Sequence, residues 1–437
     1  MRYYKQCYWI LLICASACNK LKETVYSDLA APTTLAELDG LFNNELVGFT
    51  PGLPDLMTND LYLLTAFWQQ RDLVQRNAYL WKADLYQGDT SSGDYELCGT
   101  QTKNALITLE RLQKIAPTGD TLHWQTLKGM AYFYRALAVY EQAQLYAPVY
   151  NNNTAITDIG VPLRQSSATD EKVTSATIKN TYEQLVGDCQ QAASLLLPRD
   201  AKKTGQPSQT AAYGLLARIY LSMRDYPNAA LYADKCLQQY STLLDFNTPG
   251  ITLRNNPEII FLAHANAKID ALTLSSQKDC MADTLLYRSY AANDMRKQLF
   301  FELKPNGYPT IKKGYDGGFY IFTGMATDEQ WLIRAEARAQ TGDLDGALSD
   351  LNTLRRNRYG STQQQELQSL AIDQLIDSII TERRKELPYR GLRWTDIRRF
   401  NKMGYNIVMN RNLNDSTYVL PANDARYVLP FPPGAAH

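Results

Sequence analysis

The stretch Ala326–Gly360, ATDEQWLIRAEARAQTGDLDGALSDLNTLRRNRYG, reads as two helices joined by a tight turn. Trp331, Leu332, Ala335 and Ala339 share one stripe of the first helix; Leu344, Ala347, Leu348, Leu351 and Leu354 share one stripe of the second. Between them, Gly342 allows a left-handed C-cap and Asp343 can cap the next N-terminus. The small Ala335 and Ala347 let the helices approach closely, so each stripe is expected to bury against the other. This is an α-helical hairpin of the tetratricopeptide kind.

A second copy lies upstream. Ala217, Arg218 and Tyr220, a turn at Arg224-Asp225, then Tyr226 and Ala229 repeat the spacing. Ala217 and Ala335 are 118 residues apart, far beyond the roughly 34-residue period of a tandem array. The chain is therefore expected to be mainly α, with tetratricopeptide-like hairpins forming one globular body. An irregular, loop-rich insertion containing a few short strands would separate them, and a simple tandem solenoid is the poorer reading.

The periodicity places helices at Leu35–Phe42 (Thr34 and Glu37 forming a capping box), from about Thr102 to Lys114, and at Leu122–Tyr146, Ile178–Leu197, Ser208–Met223, Tyr226–Tyr240 and Gln368–Leu387. Gly88–Gly99, GDTSSGDYELCG, reads as a polar loop. Helical stripes fade over 241–325, where apolar pieces at Ile259–Leu262, Leu299–Glu302 and Gly318–Phe322 alternate with Pro and Gly. The body thus spans about 102–240 and 326–400, with irregular segments at about 50–101 and 241–325. The proline-rich end from Val419 is expected to run extended across a surface.

Composition narrows the function. Formal net charge is zero, from 45 basic and 45 acidic residues, and no basic run or zinc-finger spacing appears, which argues against nucleic acid as a partner. Twenty-nine Tyr and six Trp are a high aromatic load; most must fill helix–helix gaps, but Tyr also suits wet surfaces that bind amphipathic ligands. His123, His264 and His437 lack metal-ligand spacing, no nucleotide-binding loop occurs, and neither a cofactor nor a metal is expected.

The N-terminus, MRYYKQCYWILLICASAC, carries Arg2 and Lys5, a short apolar run Tyr8–Ala15, then Ser16 and Ala17 before Cys18. That is the shape of a secretory signal, too short for a stable membrane span. Its end resembles a bacterial lipoprotein signal, with Ala15 where Leu is usual. The resemblance implies cleavage of residues 1–17, a thioether lipid and an acylated (palmitate-type) amine on Cys18, a tether over 18–34 and a globular part over 35–437. Cys98, Cys189, Cys236 and Cys280 would remain, scattered and without CxxC; mostly free buried thiols are expected, with room for one disulfide.

Four landmarks, in order, resemble the SusD/RagB family of outer-membrane nutrient-binding lipoproteins. Glu382-Arg383-Arg384-Lys385-Glu386-Leu387, followed by Gly391-Leu392-Arg393-Trp394-Thr395-Asp396-Ile397-Arg398-Arg399, is similar to the family's paired E-R-x-x-E-L and G-x-R-W-x-D-L-x-R signature. Arg334, Glu336, Gly342, Asp343, Ala347, Leu351-Asn352, Arg355 and Gly360 resemble its preceding hairpin. Tyr132–Ala136 with Gln144–Tyr146 resembles its early long helix, and Val428-Leu429-Pro430 its closing motif. The chain departs from the pattern at Arg390, where the family often has Glu before Gly391, so the ion pairs of that turn must be rebuilt. Physically, Glu382 and Glu386 share one face of a helix, and Arg393, Asp396 and Arg399 repeat the charge on the next. An arginine–carboxylate lattice that orients helices is the expected role, leaving Trp394 to face the body.

The resemblance implies a non-catalytic receptor, lipid-anchored in the outer membrane and exposed at the bacterial surface. Its partners would be a SusC-like TonB-dependent transporter, on which it sits as a lid, and a nutrient, commonly an oligosaccharide. It also implies a binding face built from N-terminal loops and the central insertion. That maps to Asn59, Asp60, Tyr62, Trp68, Trp81, Asp94 and Tyr95, and further to Tyr287, Tyr308 and Tyr315. Each such aromatic, taken alone, is more often packing than platform, and Asn59-Asp60 could equally cap a helix. Two other import readings stand beside the sugar, a peptide or a glycopeptide, and a third is a protein-interaction scaffold built on the hairpins. A hydrolase would need two facing carboxylates. Pairs such as Asp55/Asp60 and Asp89/Asp94 exist, but no nucleophile elbow, HExxH or cysteine–histidine set accompanies them.

Overall fold

The hairpin of the quoted stretch forms from Thr327–Gln340 and Leu344–Arg356. A computed structural model describes residues 32–435 except 44, 91–92, 118, 273–279 and 361–365; the expected signal peptide, Cys18 and the expected tether up to residue 31 lie outside the described residues. Leu332, Ala335 and Ala339 bury fully against Ala347, Leu351 and Leu354, and Leu375 and Ile379 of the Ile372–Glu386 helix close the cluster. Gly342 sits at φ 90°, and the Asp343 carboxylate accepts the Gly346 N–H at 3.0 Å. Trp331 departs from the expected stripe. It is half-buried, donates to the Ser241 carbonyl at 3.3 Å and carries the Arg334 guanidinium on its ring.

The upstream copy pairs Gln209–Met223 with Tyr226–Gln239. Arg224 adopts the left-handed conformation (φ 61°) in the connecting turn, and Asp225 caps Asn228. The helices Gly93–Leu112, Thr121–Tyr146, Ile178–Leu195, Gln209–Met223 and Tyr226–Gln239 each pack on the next, and the last then packs on Thr327–Gln340. The packing order is thus solenoid-like. The sequence gap between the two hairpins is an excursion that leaves the stack after residue 239 and returns to the helix it left.

One local reading is corrected. Helix begins at Gly93, inside the polar run read as a loop, because Asp94 and Glu96 occupy its first turn, where negative charge is favoured. Residues 409–420 form a hairpin, Met409–Leu413 with Ser416–Leu420, turned by Asn414 and Asp415 at φ 50° and 56°. Both residue types tolerate left-handed backbone, as a two-residue hairpin loop requires.

The short strands stitch the N-terminal loop to the insertion. Phe49–Thr50 runs parallel to His264–Ala265, and Leu61–Leu63 pairs antiparallel with Cys280–Ala282. Within the insertion Phe301–Leu303 pairs with Pro309–Ile311, and Ile259–Phe261 pairs with Met325–Ala326 at the return to the stack. Cys98, Cys189 and Cys236 are buried single thiols and Cys280 is a partly buried one.

Insertion and stack are bound by a buried charge lattice. Arg296 reaches Asp294 (2.8 Å), Glu386 (2.8 Å) and Glu382 (2.5 Å), and Arg358 reaches Glu258 (2.8 and 2.9 Å) and Glu386 (2.7 Å). Arg383 and Arg399 converge on Asp396, Arg399 also grips Glu336, and Trp394 is fully buried against Tyr427. Burial alone would raise the Glu382 carboxyl, but Arg296, Lys385 and Arg355 together hold it down to about 2. At the altered turn the Arg390 guanidinium pairs with buried Asp328 at 3.0 Å and stands over the adjacent Tyr315 and Phe322 rings, 4.2 and 4.5 Å from their centroids.

Arg390→Met should lower stability by about 3–5 kcal/mol, because it strands a buried carboxylate; Asp328→Asn in the same chain should recover part of that loss in urea unfolding. A second expectation concerns pH. Burial pushes the Asp55 carboxyl up to about 7, although the Gly391 N–H that it accepts at 3.0 and 3.1 Å opposes the rise. The folded chain therefore holds a proton there that the unfolded chain releases near pH ~4. This contribution is complete below that pH and is lost as pH rises through about 7. Asp55→Asn should flatten the fall of unfolding free energy measured between those limits.

Candidate ligand-binding site

The insertion builds an open cleft beside the lattice. Asp283 caps the helix Thr284–Ser289 by accepting from Leu286 N–H at 2.8 Å, which fixes Tyr287. The short helix Arg296–Phe300 follows and leads directly into the 301–311 hairpin. Its loop closes with Lys304 N–H on the Tyr308 carbonyl (3.0 Å) and Gly307 at φ 84°. Between these elements lies a cavity of about 370 Å³, lined by Tyr287, Lys297, Gln298, Phe301, Glu302 and Lys312 among others.

Its walls combine ring faces with polar tips. Tyr287 meets Phe301 edge to face at 5.7 Å, and Lys297 Nζ stands 4.8 Å over the Tyr287 ring while donating to the Tyr290 carbonyl. On the same hairpin Tyr308 is 43% exposed and meets Tyr62 edge to face at 5.9 Å. Among the described residues the Tyr62 hydroxyl is buried without a hydrogen-bond partner, and burial pushes its pKa up to about 12. An orphaned hydroxyl beside an exposed ring is an invitation to a ligand hydroxyl or water.

A second aromatic surface lies on the loop 314–320. Phe319 is 77% exposed, and Tyr320 packs on Phe49 and His264, the latter hydrogen-bonded to Asp316 at 2.9 Å. Gly317 holds φ 77° with the Arg254 backbone so close that a Cβ would collide with it. Two larger cavities, of about 530 and 450 Å³, lie on the helical body. In the first, Tyr226 and Tyr405 already bond Met403 and Asp377; in the second, His123 supplies the only ring.

The structure separates the sequence-derived candidates. Tyr287 lines the insertion cleft, while Tyr62 and Tyr308 meet one another at the loop of the adjoining 301–311 hairpin. Asp60 is buried and receives Arg384, while Asn59 receives Arg384 and Arg393, so both hold down the signature helices. Asp94 is buried and accepts from Gly52 N–H, Leu53 N–H and Asn266. Trp81, also buried, is held at φ 53° and donates to the Met57 carbonyl under the Arg411 guanidinium. Tyr95 packs edge-on against Tyr146 and Phe431, and half-buried Trp68 donates to the Arg76 carbonyl. Buried Tyr315 bonds Glu258 beneath Arg390. For Asp60, Asp94, Trp81 and Tyr315 these are structural placements, because a buried side chain with its polar atoms engaged has nothing left to offer a ligand; Asn59, Trp68 and Tyr95 are partly buried. Lys297, Gln298, Phe301, Lys312, Phe319 and Tyr320 escaped notice, since a lysine or ring in a short irregular segment carries no periodic signal.

The buried carboxylates Glu258, Asp328 and Glu386 come close enough to hold a cation. Arg358 and Arg390 already fill that role with their guanidinium groups, and no metal chemistry is derived from them.

Comparison with known proteins agrees with this architecture. A SusD-like family model described as "Starch-binding associating with outer membrane" matches residues 40–221, and the SusD family model matches residues 306–430. The chain belongs to the SusD/RagB family. The SusD-like protein P2 of Formosa agariphila is 24% identical over 367 residues, covering 69% of this chain and 70% of the relative. A SusD superfamily crystal structure from Bacteroides thetaiotaomicron superposes with a TM-score of 0.71 at 20% identity, over 91% of this chain and 96% of that one. A SusD-like carbohydrate binding protein from Bacteroides vulgatus gives 0.70 at 18% identity, over 91% and 94%. As a SusD/RagB member the protein is a nutrient-binding protein associated with the outer membrane, and not an enzyme. No described helix is long and apolar enough to cross a membrane.

Side-chain truncation should separate packing from contact. Trp81→Ala should cost about 3–5 kcal/mol of stability in chemical unfolding. Tyr308→Ala should leave the unfolding midpoint within about 0.5 kcal/mol of the parent and show its effect only in ligand titrations.

Proposed function

We propose that this SusD/RagB chain captures an oligosaccharide in the insertion cleft and delivers it, as a lid, to a SusC-like TonB-dependent transporter. The observation that carries the reading is the cleft itself, where the half-buried Tyr287 ring stands beside Gln298, Glu302 and lysine tips, with the exposed Tyr308 in the loop of the same hairpin. Pyranose rings expose C–H faces that stack on such aromatics, while their hydroxyls take the amide, carboxylate and ammonium groups. The orphaned Tyr62 hydroxyl would gain a partner on binding. No step changes a bond, so the energy of transport falls to the partner. Lipid on Cys18 would hold the receptor at the membrane with its folded part in water.

The test is isothermal titration of the detergent-solubilised chain against plant, host and microbial glycans, with chromatography of the ligand afterwards. Saturable binding with the glycan recovered intact is expected, together with co-purification of a large β-barrel protein from native membranes. Silence across the glycans with binding to peptides would replace the sugar by a peptide.

A further inference from the structure

Arg398 is 3% exposed, and its guanidinium meets no carboxylate among the described residues. Its two terminal nitrogens donate to the carbonyls of Gln144 and Ala147, at the C-terminal end of the Thr121–Tyr146 helix. The Nε–H has no acceptor among the described residues. Burial pushes the pKa of the side chain down to about 10, and only Tyr140, Tyr182 and Tyr427 oppose the fall. Equally buried Arg218, Arg296, Arg358 and Arg399 each grip at least one carboxylate. Arg411 also lacks one, but it donates to three carbonyls and lies on the Tyr79 and Trp81 rings. The helix-end carbonyls carry partial negative charge and orient Arg398, yet they leave its formal charge unmatched.

Arg398 also lines a cavity of about 140 Å³. The Arg393–Lys402 helix forms one wall, and the segments 148–149 and 423–428 form the others. Lys402, four residues on and so on the same helix face, lines it too; it is exposed and makes no ion pair among the described residues. The one acid in the wall, Asp424, is already held by Arg426 through both carboxylate oxygens, at 2.8 and 2.9 Å. A single water needs only about 10–15 Å³, so the cavity has room for a polyatomic ion. Water could satisfy the Nε–H but not the charge, and buried charges are normally paired. Arg398 stands at a position that the G-x-R-W-x-D-L-x-R pattern leaves open, so the pattern itself does not require this site.

We propose that the cavity binds a small tetrahedral oxyanion, inorganic phosphate or sulfate, as the counter-ion of Arg398, with Lys402 supplying a second positive charge. The guanidinium gives the ion a directed N–H donor, and the ammonium group adds attraction without fixed geometry. The bound ion ties the Arg393–Lys402 helix to the 423–428 segment, and its cavity shares no lining residue with the insertion cleft.

The detergent-solubilised chain, in buffer free of all three ions, is titrated calorimetrically with inorganic phosphate, sulfate and chloride. Saturable one-site binding of phosphate, sulfate or both is expected, with chloride about tenfold weaker, and the tighter oxyanion identifies the occupant. Lys402→Gln should weaken that binding several-fold while the unfolding midpoint holds. Arg398→Leu should remove it; where this variant does not fold, the Lys402 comparison decides alone. Failure of both oxyanions to bind saturably, chloride binding as tightly as either, or binding unmoved by the substitutions overturns the inference. Each of those outcomes leaves the glycan receptor standing, because the two cavities are built from different residues.

Discussion

The structure depends on one interaction, the meeting of Arg296 and Arg358 over the shared carboxylate of Glu386, with Glu382 and Glu258 at either side. Every group there is buried, so each charge has lost its hydration and is tolerable only while its partners stay in place. The arrangement is weak evidence for net stability but strong for specificity. Glu258 and Arg296 belong to the insertion, Arg358 to the end of one hairpin, and Glu382 and Glu386 to the following helix. Three separate stretches of chain can therefore be brought together in only one relative position.

That constraint reaches the cleft by direct connection. Arg296 and Lys297 are adjacent, and Tyr290, whose carbonyl receives Lys297, donates its own hydroxyl to the Lys385 carbonyl on the signature helix at 2.7 Å. The floor of the cleft is thus bolted to the helix that carries Glu382 and Glu386. The signature residues touch no ligand in this arrangement, yet they set where Lys297 and Tyr287 stand.

The sequence was legible where residues repeat and opaque where they do not. Ala335, Ala339, Ala347 and Leu351 disclosed the hairpin because helical packing imposes a period on them, and Gly342-Asp343 marked its turn by conformational need. The arginine–carboxylate lattice was legible as a class, from acidic and basic residues spaced along one helix, but not in its pairings; nothing local announces that Arg390 would pair with Asp328 and stand over Tyr315 and Phe322. The helix start at Gly93 was hidden because the acidic residues that stabilise a first turn also compose loops. Trp81, Asp60 and Asp94 looked like ligand groups for the same reason: residues suited to contacting a sugar are equally suited to satisfying buried backbone, and only tertiary placement distinguishes the two.

The short strands deserve a separate physical account. A pairing of two or three residues, such as Phe49–Thr50 with His264–Ala265, has too few hydrogen bonds to be stable alone. Here the lattice and the helical stack already hold the paired segments together, so the loop-closure cost does not fall on these few hydrogen bonds alone. What they add is orientation, because pairing Tyr62 opposite Met281 fixes which side of the strand its ring occupies. Rings held this way lose little freedom when a ligand arrives, which favours affinity without extra contacts. A receptor that performs no chemistry has only such preorganisation with which to retain its cargo, so the helical body's stiffness is itself part of the binding site.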